Sequence, residues 1–264
     1  GRVRVDNPDD RGDGVTGGSG ERLRCASLSH VGCVRARNED AVWVDEAHGW
    51  LLLADGMGGY RGGDVAAALT ISQMLHCLQD RLSQDPPSEV RAEALLQGVV
   101  AANSAIRCTA MGMPELAGMG ATLVAAVLDR RHLVHVHVGD SRLYRLRRGV
   151  LTCLTRDHTV LQEQIDAGMI DASEAGTLSY RGLLTRGVGV AEEVVPDIGV
   201  HPLQAGDRFL LCSDGLTDML VEAEIAGLLS GALEPEEAAQ ALVEAAIAHG
   251  GRDNVSVIIA WFAG

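Results

Sequence analysis

The chain has 264 residues, with 36 acidic against 22 basic side chains and a net charge of -14 with histidine neutral. That balance excludes a cationic nucleic-acid face and a docking surface for anionic lipid. All 22 basic residues are arginine, so chemistry that needs a lysine ammonium, such as a Schiff base or a P-loop, is excluded too.

A hydrophobic content of 47% is too high for a disordered chain, and one core can bury most of this length. Residues 1–22 are rich in Asp, Gly and Arg without hydrophobic periodicity and read as a flexible leader, with one globular domain over 23–264. Short apolar runs between turn signals predict strands at 42–44 and 50–54. Helical spacing over 64–82, with Val65, Leu69, Ser72 and Leu75 on one face, stops before Asp85-Pro86-Pro87. A second helix is predicted over 88–107. Strands follow at 121–128, 132–138, 143–147 and 151–154, with hairpin turns at Arg130-Arg131 and Arg148-Gly149. Residues 157–180 are polar and helical, interrupted at Gly168 and Gly176. Strands return at 194–200 and 208–212, two helices at 221–230 and 235–249, and a buried strand closes the chain at 255–262. Segregated runs of strands and helices indicate an α+β fold, two packed sheets with helix pairs outside.

No apolar run approaches the roughly 18 residues of a membrane span, and no signal peptide is recognisable. Six scattered cysteines without a C-x-x-C pair read as reduced thiols in a cytoplasmic protein. Cys153 and Cys212 lie in strand patterns and are expected to be buried and inert.

Aspartate recurs where a buried strand meets a glycine-rich turn. Leu51-Leu52-Leu53-Ala54 runs into Asp55-Gly56-Met57-Gly58-Gly59; Val138 into Gly139-Asp140-Ser141; Cys212 into Ser213-Asp214-Gly215. Gly251-Arg252-Asp253-Asn254 runs into the last strand. Half-desolvated carboxylates are costly and mutually repulsive unless a cation compensates them. An all-oxygen set selects Mg2+ or Mn2+. Each Asp alone reads equally well as a cap or turn residue; four together favour a metal. Arg35, in Arg35-Ala36-Arg37-Asn38-Glu39-Asp40, offers a guanidinium fork for a phosphate, or is a surface arginine in a charged turn.

These motifs, in order, resemble the type 2C metal-dependent serine/threonine protein phosphatases of bacterial type. The resemblance runs over about 24–262 and adds Gly120-Ala121-Thr122, Leu154-Thr155-Arg156-Asp157-His158, Leu184-Thr185-Arg186-Gly187-Val188-Gly189 and Asp253-Asn254-Val255-Ser256. It implies a four-layer αββα sandwich, two antiparallel sheets flanked by helix pairs. It implies two Mn2+ or Mg2+ ions and a third, weaker one. Asp55 would bridge the pair, the Gly56 carbonyl and Asp214 and Asp253 would ligate it, and Asp140 with Asp214 would hold the third. Asp40 and Glu39 would reach the ions through water. Arg35 would hold the substrate phosphate, making Arg35, Asp55, Asp214 and Asp253 the catalytic set. Residues 160–190 would form a flap.

Met57 stands where animal members carry a histidine proposed as general acid, so the leaving oxygen would take its proton from metal-bound water. Tyr60 and Asp64 also depart from the family pattern, without touching the metal acids. The lead-in Ser29-His30-Val31-Gly32-Cys33 looks most like phosphatases associated with type VI secretion. The expected activity is hydrolysis of phosphoserine and phosphothreonine in proteins by a metal-activated water, opposite a cognate Ser/Thr kinase, by a monomer. The rivals are a non-catalytic phosphoprotein-binding pseudophosphatase and a two-metal hydrolase of small phosphate esters. His135 and His137 share a strand face and could ligate a metal, but read better as packed histidines; His158 is expected to order the loop before the flap.

Overall fold

The computed structural model describes residues 22–58, 62–81, 86–171 and 182–264. Tyr60, the stop signal at Asp85, Gly176 and all but the last residue of the expected leader lie outside the described residues, as does 172–181 of the expected flap. Two antiparallel sheets form the centre. One orders β1 (Leu23–His30), β11 (Val255–Phe262), β10 (Arg208–Cys212), β7 (Arg142–Arg147) and β8 (Val150–Cys153). The other orders β2 (Asp40–Asp45), β3 (Trp50–Met57), β5 (Leu123–Leu128), β6 (His132–Val138) and β9 (Asp197–Pro202), with β4 (Gly120–Ala121) pairing the end of β3. The described order therefore has the expected four layers.

The alternation of side chains along these strands explains the layers. Leu51, Leu53, Val124, Phe209, Leu211 and Ile258 face inward and fill the space between the sheets. Their neighbours Leu52, Ala54, Ala125 and Val136 face the other way, against α1 (Gly63–Arg81) and α2 (Ser88–Gly112). On the opposite side Tyr144, Leu210 and Ile259 pack under α5 (Glu222–Gly231) and α6 (Pro235–Ala248). No helix among the described residues is long and apolar enough to cross a membrane.

Several sequence expectations shift. The run at 121–128 divides at Thr122, where β4 hands over to β5. The helical reading of 157–180 reduces, among described residues, to α3 (Val160–Asp166), capped by the Thr159 hydroxyl, which accepts from Gln162 N–H. The buried face of α1 is Ala66, Ala67, Thr70, Ile71, Met74 and Leu78, one residue round from the expected stripe. Small alanines let that face approach α2 and β3 closely, leaving Val65, Leu69 and Leu75 at its margin. The 148–149 turn is as expected: Arg148 and Gly149 have φ of 51° and 79°, both positive, as the tight hairpin between β7 and β8 requires. Cys212 is buried, whereas Cys153 is only half-buried.

Candidate metal centre

The sandwich brings the strand-end acids together. Arg35, Glu39, Asp55, Asp140, Asp214 and Asp253 line one cavity of about 250 Å³, with Gly56, Met57 and Leu184 also in its wall. A larger hollow of about 550 Å³ lies by Arg147, Arg148 and Gln204, at the opposite ends of β7 and β10 from Asp140 and Asp214. It is lined by no carboxylate, so the smaller cavity is the candidate site.

Asp40 and Asp55 are cross-strand partners at the end of the β2–β3 ladder, so their side chains share a face. Asp40 sits behind the cavity. Its Oδ2 accepts from Ser213 Oγ at 3.1 Å and Ser256 Oγ at 2.6 Å, while its Oδ1 is buried without a partner. The Asp55 backbone is clamped by Thr122, which donates N–H to Asp55 O at 2.8 Å and accepts Asp55 N–H on Oγ1 at 3.2 Å. Thr122 Oγ1 also bonds Ser141 Oγ at 2.7 Å, tying the Asp55 turn to the Asp140 turn. Asp214 opens a short helix, α4 (Asp214–Thr217), and its Oδ1 is likewise buried and unpartnered. Gly56 has no space for a side chain: a Cβ there would lie 1.9 Å from Gly63 O and 2.7 Å from Glu39 O.

Burial and mutual repulsion act on these acids together. Burial pushes the Asp55 carboxyl well above its ordinary range, and Asp40 and Asp214 push it further. Asp214 is raised in the same way, by burial and then by Asp140. Burial carries Asp40 up to about 6 and Asp140 to about 7, Asp157 adding to the latter. Glu39 is raised, chiefly by burial. Orphaned buried oxygens on Asp40 and Asp214, in a set made only of oxygen donors, fit hard divalent cations, which would relieve both the desolvation and the repulsion.

Arg35 is held at the mouth of this cluster, its Nη2 donating to Asp253 Oδ2 at 2.7 Å. The loop carrying Arg35 is fastened by Asn254. Its Nδ2 donates to Val31 O at 2.9 Å and Arg37 O at 2.8 Å, and its Oδ1 accepts from Glu39 N–H at 2.8 Å. Sequence reading placed Thr122, Ser213, Asn254 and Ser256 inside motifs but gave them no task; nearness to Asp214 or Asp253 was the available signal for the last three, and Thr122 had none. His135 and His137 lie outside the cavity and are buried, as expected for packed residues.

A metal-ready acid cluster at one end of an αββα sandwich, with an arginine at its mouth, defines the class to which this chain belongs: the protein phosphatase 2C family, whose model matches residues 33–247. The chain is 42% identical over 238 residues to the serine/threonine protein phosphatase PstP of Mycobacterium tuberculosis, covering 90% of this chain and 45% of PstP. It thus spans somewhat less than half the length of that relative. The crystal structure of the PstP catalytic domain with two manganese ions superposes with a TM-score of 0.81 at 40% identity, covering 92% of this chain and 99% of that one. PppA, a regulatory component of type VI secretion in Pseudomonas aeruginosa, superposes at 0.80 with 33% identity, over 91% of this chain and 97% of PppA.

Proposed function

We propose that the chain hydrolyses phosphoserine and phosphothreonine in proteins, using Mn2+ or Mg2+. The observation that carries this is the set of mutually repelling carboxylates around one cavity, with orphaned buried oxygens on Asp214 in its wall and Asp40 behind it and a guanidinium at its rim. Asp55, Asp214, Asp253 and the Gly56 carbonyl would hold two ions, Asp140 with Asp214 a third, and Asp40 and Glu39 would act through water. When bound, such ions neutralise the acids and lower the pKa of a water toward neutrality.

The protein's own side chains do the rest. The Arg35 fork takes two phosphate oxygens and draws charge from phosphorus as it is attacked in line. Asp40, held by two serine hydroxyls, would hold and orient the attacking water. Met57 cannot donate a proton, so the departing serine or threonine oxygen is protonated by water. The structures with manganese or of a secretion regulator are of relatives; their names support a regulatory phosphatase, and because a phosphorylated substrate has to be made by a kinase, a Ser/Thr kinase acts opposite it. A cytoplasmic monomer with the domain at 23–264 and a flap whose described part at the rim includes Gly182 and Leu184 completes the reading.

The test is hydrolysis of a phosphothreonine peptide and p-nitrophenyl phosphate with Mn2+. Turnover collapsing in Asp55→Asn supports the proposal; full activity in excess chelator overturns it. A kcat/KM favouring the small ester over every phosphopeptide would make it a small-ester hydrolase, and metal binding without turnover a binding module.

A further inference from the structure

His158 lies outside the acid cavity yet grips its wall through one residue, Gly139. Its own N–H donates to Gly139 O at 2.9 Å, and Gly139 N–H donates back to His158 Nδ1 at 3.1 Å. Gly139, at a φ of 104°, is the residue that turns β6 into Asp140. The two peptides that flank Gly139, the second of which leads into Asp140, are therefore each held by a single residue 19 positions away.

The ring's tautomer follows from its neighbours. A backbone N–H can only donate, so Nδ1 keeps its lone pair and Nε2 carries the proton. That proton can go only to Asp197 Oδ2, 3.3 Å away, because Arg186 Nη1, 3.2 Å from Nε2, is itself a donor; the same Nη1 donates to the other oxygen of Asp197 at 2.9 Å. His137, His158 and Asp197 also present donor atoms within 4.8 Å of one another, a spacing suited to an ion. A protonated Nε2 has no lone pair to give, so the trio works as a hydrogen-bonded set. His158 further accepts Thr185 N–H on its carbonyl at 2.9 Å, and Thr159 bridges Leu184. Leu184 is in the cavity wall. One residue therefore joins the Asp140 turn to the segment that forms the rim.

We propose that His158 is a positioning residue: oriented by Asp197, it fixes both peptides of Gly139 and thereby the direction in which Asp140 enters the cavity, and it holds the Leu184–Arg186 rim in register with that turn. This rests on the metal-dependent phosphatase reading for its catalytic consequence, but its structural part can be read from metal binding alone.

The experiment compares wild type with His158→Leu, His158→Asn and Asp197→Ala. Mn2+ binding is followed by calorimetry, phosphopeptide turnover by steady-state kinetics and folding by circular dichroism. Asparagine can offer Oδ1 to the Gly139 N–H; leucine cannot. The expected result is a weakest Mn2+ step about tenfold weaker or more in His158→Leu, as for loss of a residue that orients a ligand. The kcat falls with KM little changed, His158→Asn is partly restored, and Asp197→Ala shifts the same way by less. If His158→Leu is folded and matches wild type in both readouts, the proposal is overturned. It also falls if asparagine is as damaging as leucine, because the loss is then one of packing. Should His158→Leu misfold, Asp197→Ala at an exposed edge decides: no change in Mn2+ binding overturns the proposal. If wild type fails to turn over any phosphopeptide while the Mn2+ shift persists, the phosphatase reading fails and the positioning role stands.

Discussion

Arg35 Nη2 lies 2.7 Å from Asp253 Oδ2, so the guanidinium best placed for a phosphate already pairs with a carboxylate of the candidate metal set. Both side chains are partly exposed, 55% and 34%, so the pair contributes little to stability and its arginine can turn to a substrate. Arg35→Ala should raise the KM for a phosphopeptide by about tenfold or more, the equivalent of one charge-assisted bond, with a smaller effect on kcat. Arg35→Lys should restore less than half of the lost binding, because an ammonium lacks the fork. Steady-state kinetics check this; an unchanged KM in Arg35→Ala removes the arginine from phosphate binding.

The acid cluster makes a second expectation about stability. Asp214 is buried, with an unpartnered oxygen, among like charges. Asp214→Asn removes one charge from a repelling group, so in chelator near pH 7.5 its Tm should exceed that of wild type by about 2–4 °C, roughly 1 kcal/mol for a chain of this size. The Mn2+-induced rise in Tm should shrink or vanish in the same variant. Melting curves with and without Mn2+ decide it, and a lower Tm in chelator would show that the carboxylate is compensated within the protein.

Much of this centre was legible because each acid is announced locally. Asp55, Asp140 and Asp214 stand where an apolar strand stops beside a glycine or serine, and Asp253 where a glycine turn enters the last strand, patterns within five residues. The partners of Asp40 were not legible. Ser213 and Ser256 are 173 and 216 residues away in the chain and become neighbours only when β10 and β11 pair beside β2. For the same reason the sheet order, with β11 between β1 and β10, has no sequence signature. β1 escaped assignment as a strand because Arg24, Ser27, Ser29 and His30 dilute its apolar alternation; its pairing with β11 along all eight residues makes it one. Long-range pairing overrides local pattern there.

Asn254 provides a third test. Its side chain makes three backbone bonds to the 31–39 loop and is 5% exposed. Asn254→Ala leaves two carbonyls and one N–H without partners and should cost about 2–3 kcal/mol. Asn254→Asp keeps the acceptor for Glu39 N–H but turns an oxygen toward the Val31 and Arg37 carbonyls, so it should do no better than alanine. Urea unfolding at constant m value measures both; a cost below about 0.5 kcal/mol for Asn254→Ala, the level of an ordinary surface change, would show that the loop is held by other contacts.

His135 sets the sign of one part of the pH dependence. It is 3% exposed with Nδ1 unpartnered, and burial, aided by His201 and His137, pushes its pKa down to about 3. The unfolded chain binds a proton near pH 6.5 that the folded protein refuses, so the contribution is complete above pH 6.5 and is lost as pH falls toward 3. The loss from this one group approaches about 1.4 kcal/mol per pH unit below 6.5. The buried acids act oppositely in metal-free protein: with their pKa values raised, their proton uptake favours the folded state as pH falls from 7 toward 4. Total stability therefore mixes two opposing slopes. The difference between wild type and His135→Asn isolates the histidine, since the acids are common to both. Urea midpoints at pH 7.5, 6.5 and 5.5 should diverge steadily below 6.5, wild type losing stability faster; parallel curves would mean that His135 accepts its proton in the folded state.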